Sequence, residues 1–486
     1  MDTIIIFGVI SFFALYFIAG AKSDLSMQRS LQAQKNKAMR PPVSKALLRK
    51  TPTEGDLILG KQKEKYVCWD TRKDGHFLII GGSGSGKSSC IVIPFLLTNP
   101  NATVFAIDIK GELVSKGREI DDPRICVFSP NDHSGYGFDV FYSINNASNP
   151  QEILSCMQTI SYSLIPLGNT SEQFWPISAR NMLCGLLIHY YCEGYNDLIS
   201  IVDCILGCPI RDQIEDIINS DSPNSNSYRY LNQFSGMADA TLLSVYSNMA
   251  NSLSCFSDEN LRWAFSGAAR KASPVSLEYG KSVFLSIPEH KLAPYAGPLA
   301  MIVNLTLDAL SKRPEGSPRI FILLDELGRI ISSGGALDGL IDASMTLRSR
   351  AVTLCLVVQQ IESLRSGFSE HKVTTLVGNC NIKIVLDASS SKTQKTVCSD
   401  WVPKYIQRRQ SKSTGSRSPS HSTSFEEKDR LSPSDLMELT RNEEVVVITP
   451  LGYSMIKKVP YYKDKLLKAK ADAIKIHNKT LFERRL

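Results

Sequence analysis

The sequence predicts an α/β protein with three parts: a transmembrane helix, a parallel sheet that carries a phosphate-binding loop, and an all-helical insertion within the sheet domain. Three observations lead to this fold class. An uncharged apolar stretch occupies residues 4–21, a glycine-rich loop stands between an apolar strand and an apolar helix, and apolar strand patterns flank a long region of helical periodicity. Strands that alternate with helices are typical of a parallel α/β sheet.

The phosphate-binding loop is predicted where the pattern G-x-x-x-x-G-K-[ST] follows a strand at 77–80 and precedes an apolar helix at 90–97. Glycines let backbone N–H groups surround an anion, and the helix N-terminus adds positive charge. We expect Lys87 to reach the β- and γ-phosphates of ATP and the Ser88 hydroxyl to bind Mg²⁺. The alternative, a flexible Gly/Ser turn, does not account for the flanking strand and helix. The predicted nucleotide-binding residues are Gly81, Gly82, Ser83, Gly84, Ser85, Gly86, Lys87, Ser88 and Ser89.

Residues 4–21 would span about 27 Å as a helix, enough for a bilayer core. Residues 19–21 also resemble the cleavage site of a signal peptide. Two features argue against cleavage: residues 1–3 lack a basic side chain, and export would take the phosphate loop to a compartment without ATP. Basic residues follow the stretch, so we predict a single membrane anchor over residues 1–21, with the N-terminus outside and the bulk in the cytoplasm.

The net charge of +7 is concentrated at the two ends of the 486-residue chain. Residues 22–50 have Asp24 as their single acid and are predicted to be a basic juxtamembrane linker that lies on anionic lipid. Residues 463–486 form a basic tail, which suits a membrane surface or nucleic acid, or else is simply solvated. The twelve cysteines include no C-x-x-C pair, which indicates reduced core thiols of a cytoplasmic domain and no metal cluster.

The nucleotide-binding domain is predicted in two parts, residues 51–141 and 268–462, because apolar strand patterns occur in both. Between them, residues 142–267 show helical periodicity and almost no strand signal. We therefore predict an all-α inserted domain over this region.

Three features are predicted near the C-terminus. Residues 405–428 contain a Ser- and Arg-rich stretch with too little apolar content to pack, so we expect a mobile basic loop. Residues 445–449 and 455–461 are predicted to form a final antiparallel pair of strands. The tail is predicted to be a helix, in which Asn478 interrupts a weak apolar seam.

Asp325 and Glu326 follow an apolar run at 320–324 that predicts a central strand. In a nucleotide-binding α/β sheet, the ligand lies at the carboxyl ends of the strands. We therefore expect Asp325 to hold Mg²⁺ through water, and Glu326 to polarise the water that attacks the γ-phosphate. The alternative is that both acids only cap a following helix, but their pairing with the Lys87 loop favours the site.

Gln359 follows another predicted central strand, at residues 352–358. A side-chain amide at that edge of the sheet would sense the γ-phosphate or orient the attacking water. The alternative is a surface glutamine without a role.

Several stretches together resemble one family, the TraG/TraD-type coupling proteins of type IV secretion, which are conjugative DNA-transfer ATPases. Each stretch is weak alone, but their order and spacing are specific, and the resemblance covers residues 55–465. The matching stretches are the phosphate loop, AIDIKGEL at 106–113, FWPISAR at 174–180, LLDELG at 323–328, Gln359 and DRLSPSDL at 429–436.

The resemblance implies a RecA-like ATPase domain, an inserted all-α domain that faces the cytoplasm, and a homo-hexamer with a central channel. It also implies that Arg348 is an arginine finger that acts on the neighbouring subunit's ATP, although Arg350 is close enough to be the finger instead. The alternative without a catalytic role is an arginine that caps the carbonyl groups at a helix end. Two departures stand out. Members usually have two transmembrane helices, whereas this chain shows one, and the position of a second glutamine is occupied by Ser363.

The predicted function is therefore that of an enzyme anchored in the bacterial inner membrane, which couples ATP hydrolysis to substrate transfer. The partners implied are the inner-membrane complex of a type IV secretion system and a cargo, either single-stranded DNA with its relaxase or an effector protein. One alternative is a nucleotide-binding cargo receptor with little hydrolysis. Another is a motor that segregates double-stranded DNA.

Overall fold

The computed structural model describes residues 40–485, apart from residue 74 and residues 146–148, 168–171, 221–223 and 414–419. The predicted anchor over residues 4–21 and most of the predicted linker lie outside these residues. Within the described part of the chain, no helix is both long and apolar enough to cross a bilayer.

The described strands form one large mixed sheet and two small pairs. They are β1 (Leu48–Arg49), β2 (Asp56–Gln62), β3 (Lys65–Asp70), β4 (Phe77–Ile80), β5 (Thr103–Asp108), β6 (Ile125–Phe128), β7 (Gly137–Phe138), β8 (Lys271–Ala272), β9 (Ser282–Ser286), β10 (Ile320–Leu324), β11 (Val352–Val358), β12 (Ile382–Val385), β13 (Tyr405–Ser413), β14 (Ser420–Lys428), β15 (Glu444–Thr449) and β16 (Gly452–Lys457). The large sheet has twelve strands in the order β1-β3-β2-β16-β15-β12-β4-β11-β10-β5-β9-β6.

Seven neighbouring strands of the large sheet, from β12 to β6, are parallel. Strand β11 lies between β4 and β10, with Val358 opposite Ile80 and Leu356 opposite Leu324. The carboxyl ends of β4, β10 and β11 therefore meet at one edge of the sheet, where the segments that follow them come together.

The rest of the large sheet is antiparallel and is built from both ends of the described chain. The predicted final pair is confirmed as β15 and β16, which extend the sheet because β15 also pairs with β12 and β16 with β2. Strand β16 ends at Lys457, earlier than predicted, and Pro460 cannot donate to a ladder. The fold also begins before the predicted boundary at residue 51, because β1 lies within the predicted linker and Val43 and Leu47 are buried.

Helices cover both faces of the sheet and make up the insertion. They are α1 (Ile93–Thr98), α2 (Glu112–Gly117), α3 (Pro150–Leu164), α4 (Phe174–Cys192), α5 (Leu198–Gly207), α6 (Ile210–Ile218), α7 (Ser225–Leu231), α8 (Asp239–Leu253), α9 (Glu259–Arg262), α10 (Ala296–Ser311), α11 (Leu327–Ser332), α12 (Gly339–Thr346), α13 (Glu370–Asn379), α14 (Ser391–Lys395), α15 (Pro433–Glu438) and α16 (Lys465–Arg485).

The insertion consists of α3 to α9, and the described residues between 142 and 267 contain no strand. Its helices follow the predicted periodicity: in α6, for example, Ile210, Ile214 and Ile217 are buried on one face. The short parallel pair of β7 and β8 joins the two points where the chain enters and leaves the insertion. Two-residue strands carry no detectable periodicity, and the sequence analysis did not find them.

Alternate residues of the central strands bury into two separate apolar clusters, one on each face of the sheet. Leu78 and Ile80 of β4 belong to the cluster that includes the helices of the insertion, and Phe77 and Ile79 to the cluster that includes α1, α2 and α16. The insertion therefore shares its core with one face of the sheet. Its α3 packs along α10, where the Asn304 amide donates to the Ser163 hydroxyl at 2.8 Å.

The segment expected to be a loop over residues 405–428 instead contains an antiparallel ribbon of β13 and β14. A two-stranded ribbon satisfies its backbone groups by pairing and needs little apolar burial, which explains why composition alone suggested a loop. Ile406 and Phe425 are exposed on this ribbon. Its predicted mobility stays a prediction.

Candidate nucleotide-binding site

The phosphate loop begins at the end of β4, where the Gly81 N–H donates to the Val358 carbonyl of β11 at 3.1 Å. Gly84 and Gly86 have φ values of 76° and 100°, in the left-handed region that favours glycine. A Cβ on Gly86 would lie 2.7 Å from the Cys90 sulfur, and one on Gly81 would overlap the Ser85 hydroxyl. The backbone of this loop therefore requires glycine at both of its ends.

The helix after the loop starts with a wide turn over Lys87–Val92 and continues as α1. Pro94 near the start of α1 has no N–H, so the regular i to i−4 hydrogen bond cannot form there. Ser83 and Gly84 are exposed at the tip of the loop, and Ser89 is partly buried on the wide turn. Parts of the loop and of the turn are therefore accessible to solvent.

Lys87 is buried, and its ammonium group donates to the carbonyl oxygens of Gly81 at 2.9 Å and Gly82 at 3.1 Å. The side chain therefore folds back across the loop from which it comes. Both of these hydrogen-bond acceptors are neutral, although Lys87 is close enough to the Asp325 carboxylate to lower its pKa. The charge of Lys87 remains available for an anionic ligand of the loop.

Ser88 and Asp325 come together across the edge of the sheet, as the sequence analysis expected. The Ser88 hydroxyl donates to Asp325 Oδ2 at 3.2 Å, although 237 residues separate them in sequence. Loss of hydration and the nearby Glu326 carboxylate raise the pKa of Asp325 to about 6, against the opposing effect of Lys87. The ionised form of such a carboxylate is stabilised when it binds a cation.

Glu326 has a left-handed backbone, with φ of 54° and ψ of 33°, which is uncommon for a residue other than glycine. Its N–H donates to Asp325 Oδ1 at 3.0 Å, so the turn places the two acids side by side. The Gln359 amide donates to Glu326 Oε2 at 3.0 Å. Backbone strain of this kind is concentrated at functional sites, and here it directs Glu326 towards the end of β11.

The residues at this edge fit a nucleotide phosphate and its cation. The loop supplies backbone N–H groups and Lys87, and Ser88 and Asp325 supply the oxygen ligands that Mg²⁺ prefers. Among the described residues, the buried Ser85 hydroxyl has no hydrogen-bond partner, which leaves one polar group of the loop unsatisfied. The arrangement can bind a polyphosphate, hold a cation beside it and orient a water molecule.

Two further side chains, neither of them predicted from the sequence, lie close to the loop. Asp387, two residues after β12, has its Oδ2 only 3.0 Å from the position that a Cβ on Gly82 would occupy. The Lys458 ammonium group donates to the Ser85 carbonyl at 3.0 Å. The sequence offers only one signal for either residue, namely its place directly after a strand.

Arg348 lies far from this edge. Its exposed side chain is in the turn between α12 and β11, at the amino end of β11, and the length of a seven-residue strand is roughly 20 Å. Arg350 contacts Arg313 instead: its guanidinium donates to the Arg313 carbonyl, and Arg313 donates to the Arg350 carbonyl at 3.1 Å. Of the two candidates, Arg348 is the one that faces solvent.

Asp108 and Arg180, two charged residues of the motifs, form hydrogen bonds with backbone groups that stabilise the fold. Asp108 at the end of β5 accepts a hydrogen bond from the Val114 N–H at 2.9 Å and holds the start of α2. Arg180 donates to the Ile165 carbonyl at 2.6 Å and to the Tyr162 carbonyl at 3.1 Å, which satisfies the end of α3. Ser363 packs against Gly328, where an added Cβ would overlap the Ser363 hydroxyl.

One protein family matches nearly the whole chain. Its model, described as type IV secretory system conjugative DNA transfer, matches residues 28–483. The type IV secretion system-coupling protein VirD4 of Bartonella quintana (strain Toulouse) is 21% identical over 394 residues, which cover 77% of this chain and 60% of that protein. Protein VirD4 of Rhizobium rhizogenes is 21% identical over 407 residues, which cover 81% and 59%. The chain thus spans about three fifths of the length of these relatives.

Solved structures of coupling proteins have a similar fold. The bacterial conjugative coupling protein TrwBdeltaN70 aligns with a TM-score of 0.64 and 16% identity, over 87% of this chain and 91% of that chain. Plasmid coupling protein TrwB, in complex with the non-hydrolysable ATP analogue ADPNP, aligns with a TM-score of 0.63 and 16% identity, over 87% and 93%. These likenesses confirm the predicted α/β fold, RecA-like with an all-α part.

Proposed function

Because the chain belongs to the type IV secretory system conjugative DNA transfer family, we propose that it is an ATPase that drives substrate transfer through a type IV secretion system. The observation that carries this proposal is the contact between Ser88 and Asp325, which joins the phosphate loop to the acids at the end of β10. TrwB structures described as complexes with ADPNP and with ADP and Mg²⁺ support ATP and Mg²⁺ as the ligands.

The residues of the loop would bind the phosphates of ATP. Lys87 would leave the carbonyl oxygens of Gly81 and Gly82 and donate to the β- and γ-phosphates, while the backbone N–H groups of residues 81–89 surround them. Mg²⁺, when bound, offsets the negative charge of the phosphates. Ser88 would hold it directly and Asp325 through water, which relieves the electrostatic cost that raises the pKa of Asp325.

Glu326 would orient the attacking water and accept its proton. The hydrogen bond from Gln359 at 3.0 Å holds one carboxylate oxygen and leaves the other for the water. Because Gln359 directly follows β11, the strand between β4 and β10, its amide would also respond to the γ-phosphate. This step distinguishes an ATPase from a receptor, since binding alone needs no general base.

Arg348 would complete the site of a neighbouring copy in a homo-hexamer. Its exposed side chain lies at the opposite edge of the sheet from its own loop, so it cannot serve the nucleotide of its own subunit. A guanidinium is always charged and binds phosphate oxygens in a planar fork, which suits this task.

The location and the cargo complete the proposal. Residues 4–21, outside the described part, would form a single-pass anchor in the bacterial inner membrane, with the bulk of the chain in the cytoplasm and the basic segment 22–50 at the lipid surface. The secretion complex of that membrane is the partner, as the name of the Bartonella relative suggests. The cargo is single-stranded DNA with its relaxase, or an effector protein.

The test is the ATPase rate of the purified full-length chain, with and without single-stranded DNA, across a salt series. We expect the DNA to stimulate hydrolysis and the stimulation to fade as salt rises, because phosphate contacts release counterions. Double-stranded DNA of the same length serves as the matched comparison.

The other outcomes separate the alternatives. Hydrolysis that DNA does not change would direct attention to protein cargo, and stronger stimulation by double-stranded DNA would favour a segregation motor. Tight ATP binding with no hydrolysis under any condition would contradict the ATPase and favour a cargo receptor.

A further inference from the structure

The ammonium group of Lys458 lies against the phosphate loop on its β12 side, opposite to the side where Asp325 lies. It donates to the Ser85 carbonyl of the loop at 3.0 Å and to the Leu386 carbonyl after β12 at 2.9 Å. A third, longer contact reaches the Thr440 hydroxyl at 3.4 Å. One side chain therefore ties the loop to two other segments of the chain.

Lys458 is itself held in place. Its backbone N–H donates to the Glu443 carbonyl at 2.8 Å, and Glu443 has a left-handed φ of 53°, which is strained for a glutamate. The Glu443 carboxylate in turn pairs with Lys463, at the start of the tail. The stem of Lys458 thus leaves a fixed point of the sheet, and its head has little freedom to follow the loop.

The contact with Ser85 constrains the next N–H group of the loop. In a trans peptide the carbonyl and the following N–H point in opposite directions. A cation that holds the Ser85 carbonyl from the β12 side therefore directs the Gly86 N–H away from that side. Gly86 has a φ of 100°, so the peptide can rotate easily unless something holds it.

Lys458 differs from Lys87 in what nucleotide binding would do to it. Lys87 must give up its contacts with the Gly81 and Gly82 carbonyls to reach a phosphate. The Lys458 contacts involve the Ser85 and Leu386 carbonyls on the β12 side of the loop, so they would not have to be broken when a phosphate binds. Such a contact preorganises a binding loop, because the loop does not have to be ordered again when the ligand arrives.

We propose that Lys458 is a positioning residue for nucleotide binding, which holds the Ser85–Gly86 peptide in the orientation that a phosphate requires. This inference rests on the proposed ATP-binding function. It assigns to the residue that follows β16 an indirect effect on nucleotide affinity, exerted through the loop and without contact with the nucleotide.

The experiment compares Lys458→Met with Lys457→Met in the full-length chain. Methionine keeps the apolar stem and removes the donors, and Lys457 is an exposed neighbour that contacts Asn442 and Glu444 instead of the loop. The affinity for the fluorescent analogue MANT-ADP and the KM and kcat of ATP hydrolysis are measured for each. Thermal unfolding without nucleotide gives the stability.

We expect Lys458→Met to lower the MANT-ADP affinity and to raise the KM for ATP about tenfold, with kcat changed less than about twofold, because preorganisation acts on ground state and transition state alike. Lys457→Met is expected to match the wild type. Equal affinity in the two variants, or a loss of kcat without a change in KM, would overturn the proposal.

Two further outcomes are also decisive. If Lys458→Met does not fold, Lys458→Gln, which keeps one amide donor, takes its place under the same criteria. If the wild type itself does not bind MANT-ADP, the proposed function fails; if the wild type binds and Lys458→Met binds equally, only the role of Lys458 fails.

Discussion

Asp325 and Asp464 are both partly removed from water, yet the pKa of Asp325 is raised and that of Asp464 is lowered. At Asp325, lost hydration and the adjacent Glu326 raise the pKa to about 6. At Asp464, lost hydration also raises the pKa, but hydrogen bonds from Lys61 and Tyr66 outweigh that effect and hold the pKa below its ordinary value. The first carboxylate is left electrostatically unsatisfied, and the second is fully satisfied.

The contacts of Asp464 explain this difference. Its Oδ2 accepts from Lys61 at 2.7 Å and from the Tyr66 hydroxyl at 2.6 Å, while its Oδ1 accepts the Leu467 N–H at the start of α16. Asp325 accepts from a single hydroxyl and from the N–H that follows it. Asp464 joins β2, β3 and the tail helix, whereas Asp325 is kept ready for a cation at a cost in stability.

The largest effect is expected for substitutions in the nucleotide-binding site around Asp325. Glu326→Gln should lower the rate of ATP hydrolysis at least about a hundredfold while MANT-ADP binding is retained, because the amide cannot accept a proton. Lys87→Ala should abolish both, since the loop then loses its cation. Steady-state ATPase assays and MANT-ADP titrations on the full-length chain measure these effects.

Glu119→Gln, on an exposed turn before β6, is the control for these substitutions and should behave as the wild type. If Glu326→Gln hydrolyses ATP at the wild-type rate, Glu326 is not the general base and the side-by-side acids have another purpose.

The next largest effect is expected at Asp464, and it is an effect on stability. Asp464→Asn should lower the free energy of unfolding by about 3 kcal/mol, because it breaks an ion pair whose carboxylate is buried and turns an amide towards two donors. Because the folded pKa lies below the ordinary value, the carboxylate contributes its stability above that ordinary value. The cost of the substitution should therefore be constant between pH 5 and 8.

Denaturant unfolding across that pH range measures the change, with Asp472→Asn, at an exposed position of the same helix, as the control. A loss of stability no greater than that of the control would show that the Lys61 and Tyr66 contacts are not needed to hold the tail helix.

Asp325→Asn should have the opposite sign and no larger a size. In EDTA and without nucleotide, it should raise the free energy of unfolding by up to about 3 kcal/mol at pH 8, since the substitution removes a carboxylate that is costly to ionise. The raised folded pKa means that wild-type stability is lost as pH rises from about 4 to about 6. The gain should therefore be about half complete at pH 5 and fully present above pH 7.

The same unfolding series measures this difference, so the two aspartates can be compared directly. A gain that does not grow between pH 5 and pH 7 would contradict the assignment of a raised pKa to Asp325. A destabilising effect at pH 8 would mean that its carboxylate is satisfied like that of Asp464.

The nucleotide-binding site around Asp325 could be predicted because its residues come after buried strands in the sequence. Asp325 and Gln359 directly follow apolar runs, and Ser88 ends the glycine loop that follows another. Parallel strands bring their carboxyl ends to one edge of the sheet. The prediction needed only the period of the strands and the rule for parallel sheets. It did not need the strand order in detail, although that order puts β11 between β4 and β10.

The long-range contacts made by residues near the C-terminus could not be predicted in this way. Asn478 was expected only to interrupt the weak apolar seam of the tail helix. Its side-chain amide instead donates to the Ser115 and Arg118 carbonyls and accepts a hydrogen bond from the Ile120 N–H, which docks α16 beside α2. Lys458 meets the Ser85 carbonyl across 373 residues. Nothing in the neighbourhood of either residue shows which distant backbone group it will face.

The sequence by itself determined the α/β class, the helical insertion and the phosphate loop with its acids, because periodicity, glycine spacing and strand ends are local properties. Only the tertiary structure decided that β15 and β16 join the main sheet and that the insertion shares its core with one face of that sheet. It also decided that Lys458 contacts the phosphate loop and that Asp464 joins the tail helix to β2 and β3. These contacts depend on strand order and helix docking. Both result from the burial of the whole chain, and no short segment encodes them.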